Sequence, residues 1–163
     1  MKMATLGKVC QPLAFTGIAA ALMERGQTIH SKFRLKIPSD EDCLSKIAAG
    51  TEEARLLCEN EVFIIDACSQ VDKFMLKGID RSLRDLTGNR HLKFGGKCII
   101  LSGDFRQCLP VVKKPSNHQP ETICLKADRV MWESFQKFSL ITNVRADLNA
   151  DAFKEWCMQV GNG

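Results

Sequence analysis

The 163-residue sequence has no Cys-x-x-Cys pair and no clustered His/Cys spacing, although it carries eight cysteines. That absence argues against a zinc site, whose ligands come at short, fixed spacings. Several of the eight, which are Cys10, Cys43, Cys58, Cys68, Cys98, Cys108, Cys124 and Cys157, sit inside apolar runs, where cysteine acts as a small hydrophobe. The first seven residues lack the apolar stretch of a secretory signal, so the thiols are expected to stay reduced inside a cell. No apolar run approaches membrane-spanning length, so no membrane partner is expected. Repeats and low-complexity tracts are absent as well. So is the phosphate-cradling pattern G-x-x-x-x-G-K-[ST]: Gly7-Lys8 is followed by Val9, and Gly96-Lys97 by Cys98. The dinucleotide fingerprint G-x-G-x-x-G does not occur either.

What is present describes a folded domain. The length is enough for one core, and the 45% hydrophobic content excludes a disordered chain. A net charge of +4 permits a nucleic-acid partner without demanding one. Val62-Phe63-Ile64-Ile65 and Cys98-Ile99-Ile100-Leu101 are continuous apolar runs, the pattern of strands buried on both faces. Phe138-Ser139-Leu140-Ile141 is a third candidate. Residues 9–15 are a weaker one, in which Pro12 predicts an edge or distorted strand. Val71, Met75, Ile79, Leu83 and Leu86 recur at helical spacing, with Ser69 and Asp72 resembling a capping box at the start. Asp80 and Arg84 stand at i,i+4 with the acid first. Gly88, Asn89, Gly95 and Gly96 mark a loop, and Phe153, Trp156, Cys157 and Val160 share one helix face. Residues 38–60 and 113–120 are loop-rich, the first with a short helix. Strands alternating with helices predict an α/β fold with a parallel sheet and ligands at the strands' carboxyl ends.

Two of those ends carry acids. Ile64-Ile65-Asp66 has the form of a Walker B strand, whose terminal carboxylate holds magnesium through water; an ordinary strand ending in Asp is the alternative. Gly103-Asp104-Phe105-Arg106-Gln107, followed by Leu109-Pro110, is more specific. It places an acid, a cation and an amide in one turn after a buried strand, a cluster able to sense a phosphate, with the arginine on the phosphate or paired with the acid; a polar surface turn is the alternative.

The stretch G-D-F-R-Q-x-L-P resembles motif III of Pif-type helicases, including those of Helitron-like transposons. Phe94-Gly95-Gly96-Lys97 before it and Asp80-Arg81-Ser82-Leu83-Arg84-Asp85-Leu86 are similar to family segments. Thr16-Gly17-Ile18-Ala19-Ala20 resembles motif Ia, Thr28-Ile29-His30-Ser31 the T-x-H-S element, and Leu140-Ile141-Thr142-Asn143-Val144-Arg145 the L-T-x-N-M-R element. The likeness runs in order from Gly7 to Arg145, which sets aside an unrelated nucleotide-binding protein. It implies residues 1–163 as part of one RecA-like domain: a parallel sheet flanked by helices that lacks the first strand and phosphate loop. It further implies ATP, Mg2+ and single-stranded DNA as ligands and 5′-to-3′ movement along DNA. Roles in repair, recombination and telomere maintenance, in the nucleus or mitochondrion, follow from it too. Asp66 would hold magnesium, and Asp104 would lie at the nucleotide. Gln107 would sense the γ-phosphate, and Arg145 would contact the nucleotide or couple it to the second motor lobe. Thr16, Gly17, His30 and Ser31 would line the DNA path. Each has a plainer reading: Thr16-Gly17 as a strand-to-helix turn, His30-Ser31 as a helix start capped by serine, and Lys32, Arg34 and Lys36 as a solvated face.

The sequence also departs from the family. The phosphate loop would precede Met1, and the second lobe would follow the last residue, so the expectation is a partial motor. Ala67 stands where the family has glutamate, the base that orients the attacking water. Slow hydrolysis is expected. Three readings are open: a helicase fragment, a non-catalytic single-strand-binding module, and a decayed transposon remnant.

Overall fold

A computed structural model describes residues 7–112, 119–140 and 151–162. Four parallel strands form one sheet in the order β2-β1-β3-β4. They are β1 (Cys10–Ala14), β2 (Gln27–Thr28), β3 (Val62–Asp66) and β4 (Cys98–Leu101). Helices α1 (Gly17–Ala21), α2 (Ile29–Phe33), α3 (Glu52–Glu59) and α4 (Lys73–Thr87) link or cover the strands. After β4 come α5 (Pro120–Ile123), α6 (Arg129–Glu133) and α7 (Asp151–Asn162). Both apolar runs are strands, but only the first is buried as expected: Leu13 of β1 and Phe63 and Ile65 of β3 are fully buried, whereas β4 lies at the edge of the sheet with Cys98 and Ile100 exposed. The parallel α/β reading of the sequence therefore holds.

Pro12 corrects one expectation. β1 is flanked by β2 and β3 and is not an edge strand. Val9 O accepts from Val62 N, so alternate residues of β1 address β3 and Pro12 faces the other side. There β2 pairs only with Leu13 and Ala14, so Pro12 has no strand neighbour to which it owes an N–H. The Gln11 side chain fills the gap, its Nε2 donating to Pro12 O at 2.9 Å and to Arg25 O at 3.1 Å.

The helix α4 follows the predicted stripe, with Met75, Ile79 and Leu83 buried. It starts later than the capping pattern at Ser69 suggested. Cys68–Gln70 make a 3-10 turn, and Val71 is extended and fully buried, which interrupts any helix there. Asp72 is the cap, accepting from Met75 N at 2.7 Å. Residues 138–140 are not a strand: Phe138 and Leu140 are exposed, and no described backbone pairs with them. Ile141 lies outside the described residues. In the 113–120 segment, residues 113–118 lie outside them too, while Pro120 opens α5 at a position where its missing N–H is harmless. On α7, Phe153, Trp156 and Val160 are more than half exposed, so that apolar face is uncovered among the described residues. No described helix is long and apolar enough to cross a membrane.

One polar group ties the glycine pair before β4 to α4. Asp80, only 7% exposed, accepts from Arg84 Nε at 3.0 Å and from Phe94 N at 2.5 Å. Gly95 has φ +60, and a Cβ there would lie 2.3 Å from Thr87 Oγ1 and 2.6 Å from Leu83 O. Asp80→Ala strands a buried N–H and an arginine, and should cost about 2–3 kcal/mol in urea unfolding. Asp80→Asn, which keeps an acceptor, should cost about half as much. Equal losses for the two substitutions would show that the bond to Phe94 contributes nothing.

Candidate functional site

Because all four strands run parallel, their carboxyl ends share one rim. The register aligns Thr28, Ala14 and Asp66 in one row across β2, β1 and β3. Neighbouring strands lie about 4.8 Å apart, so this row places the end of β2 roughly 10 Å from that of β3. On the far side Ile65 pairs with Leu101 of β4. The pairing continues one residue further, as Ser102 N donates to Ile65 O and Cys68 N to Ser102 O, both at 2.9 Å. Asp66 and Asp104 thus leave the tips of adjacent strands. Gly103 crosses directly over Cys68: a Cβ there would sit 3.0 Å from both Cys68 N and Sγ.

Asp66 is half-buried at the tip of β3. Next comes Ala67 in the left-handed region, with φ 52 and ψ 42. A non-glycine residue there is strained by about 1–2 kcal/mol. Its methyl offers no acceptor. Cys68 does not replace it: burial first, and the Asp66 charge second, push its thiol up to about 11.

The 104–107 turn is closed by its own polar groups. Asp104 Oδ1 accepts from Arg106 N and from Arg106 Nε, each at 3.0 Å, and Gln107 N donates to Asp104 O at 3.0 Å. The Arg106 guanidinium, then the Arg106 N–H, hold the Asp104 carboxyl below the usual carboxylate range. Arg106 also donates to Met158 Sδ of α7 at 3.2 Å. Asp104 is therefore occupied with its own turn, and Gln107 is left exposed beside it.

On the β1 and β2 side, Thr16 caps α1 by accepting from Ala19 N at 3.3 Å, and Gly17 is its first residue. Thr28, not Ser31, caps α2, accepting from Ser31 N at 3.2 Å. The plainer reading of Ser31 as the helix cap is thereby corrected. Thr16, Gly17 and Ser31 are exposed. His30 is half-buried against Phe15, with ring centres 5.5 Å apart, and burial lowers its pKa against the opposing pull of Asp72. Of the neighbouring basic residues, Arg34 pairs with Glu53 at 2.7 Å and Lys36 with Asp40 at 2.6 Å, as a solvated face would. Arg145 lies outside the described residues.

The described clefts open elsewhere. The larger, about 550 Å³, runs along α4 and is lined by Glu41, Lys73, Phe74, Lys77 and Arg81. The strand ends gather the polar groups named above on the rim instead. Among the described residues no cluster of three or more His, Cys, Asp or Glu could hold a metal. A single carboxylate still suits magnesium, which is commonly held by one or two carboxylates plus substrate phosphates and water. Asp66 fits that donor set, as no described ion pair occupies it. Sequence reasoning overlooked Thr28 as a cap and missed the contact of Phe105 with Trp132 and Lys126, which no spacing signals.

The family model described as PIF1-like helicase matches residues 2–163. Among curated proteins, the ATP-dependent DNA helicase RRM3 of Saccharomyces cerevisiae is 31% identical over 134 residues, covering 80% of this chain and 18% of that protein. The ATP-dependent DNA helicase PIF1 of Candida albicans is 34% identical over 110 residues, 66% of this chain and 12% of its own length. A crystal structure of Bacteroides Pif1 bound to ssDNA superposes with TM-score 0.60 at 30% identity, over 82% of this chain and 28% of that one. Another, with ADP-AlF3 and ssDNA, does so with TM-score 0.60 at 36% identity over 68% and 26%. The Candida albicans Pif1 helicase, 22% identical with TM-score 0.69 over 97% of this chain, shares the fold. The chain thus spans less than a fifth of the length of these curated relatives and about a quarter to a third of the solved chains.

Two outcomes follow from the local physics. The folded state disfavours a charged His30 ring, so its contribution is intact above about pH 6.5 and lost as pH falls through that value. The melting temperature should therefore drop more between pH 7.5 and 5.5 for the parent than for His30→Gln; identical slopes would remove His30 from the account. Ala67→Gly relieves the left-handed strain and should stabilise by about 0.5–1 kcal/mol in denaturant unfolding.

Proposed function

The chain belongs to the PIF1-like helicase family, and from that membership we propose that it forms the ligand-facing rim of one motor lobe of an ATP-dependent DNA helicase. The observation that carries the proposal is the exit of Asp66 and of the 104–107 turn from adjacent parallel strands, on the same rim as Thr16 and His30. Nucleotide and DNA sites would then be joined through a rigid sheet edge only a few strands wide.

In this reading Asp66 holds Mg2+ beside ATP, and the metal supplies neutralisation of phosphate charge. Gln107, exposed next to the self-closed Asp104 turn, donates to the terminal phosphate or accepts from the water near it. Asp104 serves the nucleotide by shaping the turn. Arg145 contacts the nucleotide or transmits its state to the second lobe. Thr16 and Gly17 at the start of α1, with His30 and Ser31 of α2, carry single-stranded DNA, whose phosphates suit exposed backbone N–H groups. Movement 5′ to 3′, and service in repair, recombination or telomere maintenance in the nucleus or mitochondrion, belong to the same proposal.

A second reading is favoured by Ala67 and Cys68. With no carboxylate at the first position and a buried, protonated thiol at the second, the rim can bind but has no base for hydrolysis. The chain would then act as a single-strand-binding module.

One experiment separates the two. Joined behind a phosphate loop, the chain should hydrolyse ATP very slowly, and Ala67→Glu should raise kcat by about 100-fold or more, the usual weight of a positioned base. Rapid turnover with Ala67 in place would contradict the assigned defect, and no gain from glutamate would point to a different missing part. Binding of the chain alone to a dT oligomer should weaken steeply with added salt, as phosphate contacts do.

A further inference from the structure

The two cations nearest the 104–107 turn differ in one respect. Arg106 is neutralised by Asp104, with Nε 3.0 and 3.2 Å from the two carboxylate oxygens. Lys126 is exposed, and among the described residues no carboxylate lies within ion-pair distance of it. Its Nζ stands 4.2 Å from the centre of the Phe105 ring, and Phe105 is the residue between Asp104 and Arg106. Phe105 in turn meets Trp132 edge-on at 5.2 Å. The base of the lysine is fixed: it belongs to the 3-10 turn Leu125–Ala127, Leu125 is 2% exposed, and Cys124 bridges to Asp72.

We propose that Lys126 is a phosphate-binding residue of this rim, placing its ammonium on an anionic oxygen held beside Gln107. The proposal rests on the reading of the rim as a nucleotide and DNA site. The Asp104–Arg106 pair is neutral and offers an anion no net attraction, so a further cation on this side of the rim adds to what a metal on Asp66 would supply. An ammonium over an aromatic face keeps its three donors available to a ligand. The charge of Lys126 also reaches the site: after the Arg106 bonds, it helps hold the Asp104 carboxyl low. The phosphate would come from a nucleotide or from the backbone of single-stranded DNA.

The test compares the full chain with Lys126→Ala, Lys126→Gln, Lys126→Arg, Lys137→Ala and Gln107→Ala. Probes are MgATP, inorganic tripolyphosphate and a fluorescein-labelled dT oligomer. Lys126→Ala and Lys126→Gln should weaken binding about tenfold, the scale of one charge-assisted hydrogen bond. Lys126→Arg should bind like the parent. Lys137, 5.7 Å from the Trp132 ring and equally exposed, is the control and should be silent. A loss confined to MgATP and tripolyphosphate assigns the nucleotide as source, and a loss confined to the oligomer assigns DNA. Because Lys126→Gln keeps the stem over Phe105, its agreement with Lys126→Ala identifies charge rather than packing. If Lys126→Ala and Lys126→Gln bind every probe as the parent does while Gln107→Ala is weakened, the lysine is overturned and the rim reading stands. If the parent binds none of the probes, both fall together.

Discussion

The pairing of β3 with β4, carried one residue past both strands by Ser102, is the constraint on which the site depends. Ser102 donates to Ile65 and accepts from Cys68, so the chains leaving the two strands are bonded to each other before either turns away. The close crossing of Gly103 over Cys68 follows from that bond pair, since no side chain fits between them. Asp66 and the 104–107 turn are neighbours for this reason alone; neither contributes a side chain to hold the other. The remainder of the rim is extended by register, through Ala14 to Thr28 and His30.

The same geometry gives Ala67 its significance. A residue leaving a strand tip beside a bound phosphate is well placed to act on water, and here the position is a strained alanine followed by a buried thiol. The fold holds this alanine in the left-handed region directly after the strand tip. In the proposed reading, binding draws on Asp66, Gln107, the helix starts and Lys126, whereas hydrolysis needs a base that these positions do not provide.

The strands and the long helix were legible because their signals are local. Two four-residue apolar runs and a stripe from Val71 to Leu83 need no tertiary information to be read. The turn at Asp104 was legible as chemistry, with two partners open to Arg106, a phosphate or the acid two residues before it; the structure has the pair with the acid. Pro12 misled because the rule about proline concerns the side on which an N–H is owed, and β2 is too short to claim that side. Ser69 misled because Val71 is drawn into the core in an extended form, which outweighs a capping pattern. Lys126 gave no signal, since its role depends on a lysine from one short turn reaching the ring of another. The 138–140 run has strand composition, yet a strand exists only with a partner backbone, and none is present among the described residues.

The central claim is that one rim gathers the phosphate-bearing ligand at Asp66 and Gln107. Titration of the 15N-labelled chain with ATP and Mn2+, a paramagnetic substitute for Mg2+, tests it most directly. The account predicts broadening of the amide signals of Asp66, Ala67 and Cys68 together with those of residues 102–107. Sharp signals there, with broadening instead along Lys73, Lys77 and Arg81 in the cleft on α4, would contradict it.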